Sequence, residues 1–300
     1  MKTKLFTLFA VIFFLLSGNI QAKKVLLRFN LEKGAQYNMV MDVSSTIDQA
    51  VMGQDVDINQ KMNMVFNWKV LDITPDKTFL VEYAFEKMKM EMSVNGQNLV
   101  FSTDSTEEST PAFSSALKDL SKIKLQLEIT DQGKIVSVKG MDELLSKFSG
   151  NQVLAQSMQM FTNESNFESF MGQTFNYFPE KEIGKGDTWT SSMKLPAMMN
   201  MDTKMDFEVA DITDDVVKLN VNSLVNIDSP IEQAGMKMQV KMDGTQKGTM
   251  DINLKDGWLE SSDLVQEFSM QMKLKNPQTG EDMEIPMKVQ STAKMTGGKK

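Results

Sequence analysis

From Val56 to Val70 the even positions read Val56, Ile58, Gln60, Met62, Met64, Phe66, Trp68 and Val70, while the odd positions are mostly Asp, Asn and Lys. Successive side chains of an extended chain point to opposite faces, so this period of two predicts a long strand with one dry face. After a turn over Asp72 to Lys77, Phe79, Val81, Tyr83 and Phe85 hold the odd face. Met88, Met90, Met92 and Val94 then hold the even one. A slip of one position would swap every later side chain to the other side, so a β-bulge is expected near Glu86 and Lys87. Asn95-Gly96 is a type I′ hairpin signal, because both residues accept the positive φ that this turn demands. A return strand over Leu99 to Ser102 should follow.

Pro111 opens a short helix on the pattern Phe113, Ala116, Leu117, Leu120. Ile123, Leu125, Leu127 and Ile129 alternate again, and Asp131-Gln132-Gly133 turns the chain into Lys134 to Val138. Between Met141 and Phe178 the apolar spacing becomes helical, with Leu144, Leu145 and Phe148 early and Phe167, Phe170, Met171, Phe175 and Phe178 late. Beyond Pro179 the period of two returns: Met199 to Val209, Val217 to Ile227, Met236 to Met242, Met250 to Leu254, Leu264 to Leu274 and Ile285 to Val289. Asp243-Gly244 and Asp256-Gly257 read as hairpin turns between these runs. The expected order is a leader over 1–22, a β lobe over 23–140, a helical connector over 141–180, a second β lobe over 181–296 and a disordered tail over 297–300.

The two lobes share a signature. Trp68 aligns with Phe207, Val70 with Val209, and Asp72-Ile73-Thr74-x-Asp76 with Asp211-Ile212-Thr213-x-Asp215. Upstream, Lys33-Gly34-x-x-Tyr37 is matched by Lys185-Gly186-x-x-Trp189. Two copies are too few for a solenoid and point to one duplicated unit. Strands of about fifteen residues would span roughly 50 Å if flat, so they must curve. The fold class expected is therefore all-β with a helical connector: two duplicated antiparallel meander lobes of long curved strands, in a half-barrel or open clamp, or else two tandem sandwiches or barrels.

Taken together, the leader, the Lys-Gly-x-x-aromatic opening, the Asp-Ile-Thr-x-Asp turn, the connector and the Lys185-Gly186-Asp187-Thr188-Trp189 restart resemble an uncharacterised family of exported bacterial β-rich proteins. That family is a two-lobed domain of unknown function, typical of Bacteroidetes-like envelopes. The resemblance implies an envelope location, and its motifs are turns and core aromatics with no catalytic residue among them.

Composition narrows the chemistry. Lys2 and Lys4 before the apolar run Leu5 to Leu16, with Ala22 at the cut, form a secretory signal, and the run is too short to span a bilayer. The chain is expected to be periplasmic or extracellular after cleavage, with no integral membrane span in its mature form. Cysteine and histidine are absent, which removes disulfides, thiolate and imidazole catalysis and ordinary zinc sites. The formal charge is -8 and Arg28 is the only arginine, so no basic face is available for nucleic acid.

Methionine is over-used, at 27 residues, many as Met-x-Met. Such pairs could bind Cu(I), but a strand whose buried face is built from methionine produces the same spacing. Flexible thioethers also suit a surface that adapts to an apolar guest. The candidate lining is Met62, Met64, Phe66, Trp68, Met88, Met90, Met92, Phe167, Phe170, Phe268, Met270 and Met272. The loop pairs Asp72/Asp76 and Asp211/Asp215 could contribute to a calcium site or simply cap their turns. The function expected is a non-catalytic envelope protein binding a lipid or other apolar small molecule, without cofactor or metal. The alternatives are a structural or partner-binding protein with a filled core, a Met-based Cu(I) binder, or a carboxylate enzyme, for which nothing singles out a pair of acids.

Overall fold

The computed structural model describes residues 23–51, 54–104, 122–148, 171–172, 174–195, 201–233, 236–275 and 282–300. The expected leader, the Pro111 helix and most of the connector, including Phe167 and Phe170, lie outside the described residues.

The strands are β1 (Gln36–Val51), β2 (Gln54–Ile73), β3 (Phe79–Val94), β4 (Gln97–Ser102), β5 (Lys124–Ile129) and β6 (Ile135–Lys139), followed by β7 (Thr188–Leu195), β8 (Met201–Ile212), β9 (Val216–Gln233), β10 (Met236–Asn253), β11 (Leu259–Lys275) and β12 (Asp282–Lys299). The helix α1 (Met141–Phe148) carries Asp142 and Glu143 in its first turn, where the helix dipole favours acids. The strands form one antiparallel sheet in the order β6-β5-β3-β2-β1-β12-β11-β10-β9-β8-β7, with β4 beside the far half of β3. The two lobes are thus halves of one open half-barrel, joined where β1 pairs with β12 from Tyr37↔Lys299 to Gln49↔Met287. The reading as two separate sandwiches or barrels is replaced by this single sheet.

The duplication extends to the hydrogen bonds that open each lobe. Gly34 N–H donates to Val70 O at 2.8 Å, and Gly186 N–H to Val209 O at 2.8 Å; the return bonds, Val70 N–H to Ala35 O and Val209 N–H to Asp187 O, are 3.0 and 2.9 Å. Both glycines sit at positive φ, 82° and 84°. Each lobe has a bulge at the same place, the register jumping between Val70 and Asp72 in one and between Val209 and Asp211 in the other. Trp68 pairs with Tyr37 on β1, and Phe207 with Trp189 on β7, all four on the inner face. Trp68 and Phe207 are both buried.

The slip in β3 is also present: Val65 pairs with Lys87 and Phe66 with Phe85, so Glu86 is the extra residue and Phe85 and Met88 share a face. Asn95 (φ 48°) and Gly96 (φ 81°) make the expected tight turn, and Asn95 Oδ1 accepts from Asp57 N–H at 3.0 Å.

Two expectations are corrected. Asp243-Gly244 is not a turn but lies inside β10, where Gly244 faces Phe268 on β11; a Cβ there would stand 2.2 Å from the Phe268 ring. The glycine makes room for an aromatic, which mimics a turn signal in sequence. Residues 297–299 are likewise not a loose tail. They complete β12 against Met39, Asn38 and Tyr37, and a Cβ on Gly297 would lie 2.8 Å from Trp258 Nε1, so the glycine lets the indole close over the strand.

The sheet has a closed end and an open end. At the closed end the short turns after β2, β5, β8 and β10 gather, and two irregular segments cross the inner face. Val25 and Ile183 form an isolated bridge, Phe29 N–H donates to Asp131 O at 2.8 Å, and Asn30 N–H to Asp256 O at 3.0 Å. These bonds draw the first segment, as a strap, over two of the turns and against the second segment. Phe29, Phe175, Trp68 and Trp258 then pack as one aromatic cluster, with ring centroids 5.0 to 5.8 Å apart in the contacting pairs. Offset and edge-on contacts of this kind add about 0.5–1.5 kcal/mol per pair beyond burial. Tyr177 Oη donates to Gly257 O at 2.9 Å, tying the strap to the β10–β11 turn. A hollow of about 1180 Å³ separates Ile135 on β6 from Thr188–Ser192 on β7, with Phe175 and Phe178 on its wall. The two edges of the sheet thus face each other across the strap without pairing.

Candidate functional site

The inner face is read most directly along rows of paired residues. One row runs Met62, Val43, Ala293, Leu264, Gly248, Val221 across β2, β1, β12, β11, β10 and β9. Four positions further towards the open end, another runs Ile58, Ile47, Val289, Phe268, Gly244, Val225. Both are wholly apolar or glycine. On the closed side of the first row the core is filled: Met39, Met64, Phe66, Trp68, Tyr83 and Phe207 are buried. On the open side Val225, Ile227, Met242 and Phe268 form a second, separate cluster. Its neighbours Ile47, Ile58, Val289, Met270 and Met272 remain only half-buried.

This divides the candidate lining. Met64, Phe66 and Trp68 are buried in the closed core, with Met62 and Met88 packed against it. Met90 pairs with Met62 at the edge of that core, while Met92 pairs with Gln60 one row out. Phe268, Met270 and Met272 lie on the open side, half-buried. The structure therefore does not gather these residues into one site; it places some in a filled core and others on a partly covered apolar field.

Between the two apolar rows lies a row that the sequence reading passed over. Gln60, Ser45, Ser291, Gln266, Gln246 and Ser223 are paired in succession on the same face. Ser45 Oγ donates to Ser291 Oγ at 3.0 Å, Gln266 Nε2 to Gln246 Oε1 at 2.9 Å, and Ser223 Oγ to Lys204 O at 2.6 Å. Gln60 Nε2 reaches only Met90 Sδ, at 3.2 Å, a weak acceptor. A hollow of about 770 Å³ lies at this level, lined among others by Ser45, Gln60, Met92, Leu99, Gln266 and Ser291. Gly244 and Gly248 flank Gln246 on β10, and the backbone of β11 presses close at both: a Cβ on Gly248 would meet Asp263 O at 1.9 Å. The signal was present in the sequence as one Ser or Gln in the middle of each apolar run, visible only when the strands are laid in register.

The loop carboxylates are engaged by the protein itself. Lys33 Nζ sits 2.7 Å from Asp72 and Lys185 Nζ 3.0 Å from Asp211, equivalent pairs in the two lobes. Hydrogen bonding from the lysine is the main cause holding each carboxyl below its ordinary range. Asp76 is lowered chiefly by Thr74 Oγ1, which donates to it at 2.5 Å. These aspartates cap turns, and no group of three or more Asp, Glu, His or Cys with metal-holding geometry occurs among the described residues. Asp256 differs: burial is the largest cause raising its carboxyl, opposed by the hydrogen bond from Trp258 N–H at 2.9 Å. Nearby, burial and the Asp256 charge push the Tyr37 phenol up to about 12.

The fold and this face define a class: an open antiparallel half-barrel with a plugged end, a polar outer surface and an apolar inner one. The chain belongs to DUF6263, a family of unknown function, whose model matches residues 76–259. This is the kind of family that the Lys-Gly and Asp-Ile-Thr motifs resemble. No curated protein matches the chain. Among solved structures it is similar in fold to lipovitellin, described for its lipid–protein interactions, at 8% identity and a TM-score of 0.50. That match covers 90% of this chain but only 26% of the lipovitellin chain. An outer membrane channel from Pseudomonas putida F1 matches at 8% identity and TM-score 0.24, covering 90% of this chain and 97% of its own. The translocator domain of the autotransporter NalP from Neisseria meningitidis gives 6%, TM-score 0.19, and 89% and 90%.

Proposed function

We propose that the protein is a non-catalytic protein of the cell envelope that holds a lipid or similar apolar molecule against the open half of its inner sheet face. The observation that carries this is the unequal covering of one continuous apolar face. The closed half is packed to near-zero exposure, while Phe268, Met270, Met272, Ile47 and Ile58 on the open half stay half-exposed. An apolar field of that kind, in a concave sheet, is the usual mark of a ligand or partner surface. Methionine, with three rotatable bonds and a polarizable sulfur, suits a surface that moulds to a flexible chain. The half-barrel shared with lipovitellin is compatible with such a use.

The polarity of the sheet argues against insertion as a membrane barrel. No helix among the described residues is long and apolar enough to cross a membrane, which leaves strands as the only route considered. A transmembrane barrel turns its apolar residues outward to lipid. Here the outward positions of β2 include Asn59, Lys61, Asn63, Asn67 and Lys69, and those of β1 include Asp42, Ser44, Thr46 and Asp48, with the single apolar pair Val65↔Val40 among them. The leader read from the sequence supports an exported location.

The test is native mass spectrometry of the mature protein purified without denaturation, followed by displacement of diphenylhexatriene with long-chain lipids. A co-purifying lipid, or saturable displacement, is the expected result. A protein that carries no apolar molecule and binds no fluorophore would instead be structural or partner-binding, and stabilisation by Cu(I) alone would assign the methionines to metal.

A further inference from the structure

The row of Gln60, Ser45, Ser291, Gln266, Gln246 and Ser223 is polar at every one of six neighbouring strands, whereas other levels of the inner face carry at most scattered single polar residues such as Gln49 and Ser262. Packing alone gives no reason for it, because a polar side chain facing an apolar interior is unfavourable unless its hydrogen bonds are made. Here they are made only in part. Among the described residues, no bond uses the amide N–H groups of Gln246, the carbonyl oxygen of Gln266 or that of Gln60. Ser291, only 7% exposed, accepts from Ser45 and keeps its own hydroxyl proton to give. The belt thus holds unspent donors and acceptors, four of its members (Gln60, Ser45, Ser291 and Gln266) lining the hollow of about 770 Å³ and Gln246 adjoining it through Gln266; small-molecule sites run roughly 300–1,000 Å³.

The belt is also uncharged. Neither it nor the two rows flanking it contain Lys, Arg, Asp or Glu. Lys61, Glu91 and Glu267 border the hollow from outward-facing positions, and two acids against one base make no anion site. Resting on the reading of the inner face as a lipid surface, we propose that the belt is the headgroup site of a neutral amphiphile. Its hydroxyl, ester or amide group would be held by Gln60, Gln246, Gln266 and Ser291, with its tail laid on the Phe268–Met270–Met272 field towards the open end. A free fatty acid fits worse, because its ionised carboxylate would meet amides and hydroxyls with no cation to pair it.

The experiment uses the full mature chain loaded with diphenylhexatriene and compares displacement by 1-palmitoylglycerol and by palmitate at a pH where palmitate is ionised. The neutral lipid should displace the probe at concentrations about tenfold lower, the scale of one or two hydrogen bonds gained or left unmade. Gln246→Met with Gln266→Met, near-isosteric and apolar, should shrink that ratio about fivefold or more while leaving the probe bound. Ser291→Ala should shrink it less, and it serves as the reading if the double variant fails to fold. Equal displacement by both lipids, preference for palmitate, or variants that keep the ratio would overturn the headgroup assignment while the apolar-ligand reading stands. Failure of the wild type to bind probe or lipid at all would overturn both.

Discussion

Met39 and Met272 face the same side of the same sheet, yet one is 2% exposed in the plugged half and the other is half-exposed in the open half. Truncating a buried methionine leaves a cavity as well as losing transfer energy, so Met39→Ala should cost about 2–5 kcal/mol. Met272→Ala should cost at most about 1 kcal/mol in the ligand-free protein, with urea midpoints checking both. Asp256 gives a pH test. Its folded-state pKa is raised above the ordinary 3.8, so the folded chain holds this proton more tightly and stability falls as pH rises from that value through the raised one. Asp72, Asp211 and Glu86 act oppositely, being lowered chiefly by hydrogen bonds from Lys33, Lys185 and Asn67; their contribution is present above the ordinary range and fades as pH falls through the depressed values. Asp256→Asn should therefore be more stable than the parent at neutral pH, the gain disappearing in strong acid. A melting series by circular dichroism from about pH 3 to pH 7 would show it, and a constant offset between the two curves would remove the effect from Asp256.

At the scale of elements, the doubled turns predict doubled energetics. Gly34 and Gly186 have open space around a built Cβ but positive φ, so alanine at either should cost only the left-handed backbone penalty, about 1–2 kcal/mol, and nearly the same amount at both. Gly248→Ala has a different cause, a clash with Asp263 O, and should cost about 3 kcal/mol or more. Unequal losses at Gly34 and Gly186 would show that the two lobes differ in stiffness despite matching bonds. These elements were also what the sequence made legible. Alternation located most strands but not β1 or β7, whose apolar positions are interrupted by Ser, Thr and Lys; the phase slip located the Glu86 bulge, and the paired Asp-Ile-Thr motifs located the duplicated turns, because each is a local consequence of where side chains point. Gly244 and Gly297 were misread because a glycine placed to admit Phe268 or Trp258 looks, in sequence, like a glycine placed to turn or to fray. The belt was missed since it exists only across strands, and register between distant strands is not a local property.

For the whole molecule, the contrast between the plugged and open ends runs along the strands rather than between them. Native-state hydrogen exchange should accordingly grade within a single strand. Amides of β2 near Phe66 to Val70 should be protected to the global limit and those near Asp55 to Asn59 should exchange by smaller openings; bound lipid would slow the second group more than the first. Uniform protection along β2 would mean the open half is as tightly held as the core. That the two lobes share one sheet, rather than standing as separate bodies, could not be read from either lobe, because the β1–β12 pairing joins segments at opposite ends of the sequence.

The same pairing sets an order of events. Loop closure over so long an intervening chain is entropically costly and slow compared with the hairpins on either side of it. Each meander can zip from its own tight turns, but the strip β1 offers to β12 stays an unsatisfied edge until β12 has been made. During that interval the nascent protein exposes a long strand rim of the kind that recruits other chains. Synthesis and assembly are thereby coupled: the seam that completes the sheet is the last to form, and the period before it forms is when the chain is most dependent on a holding chaperone.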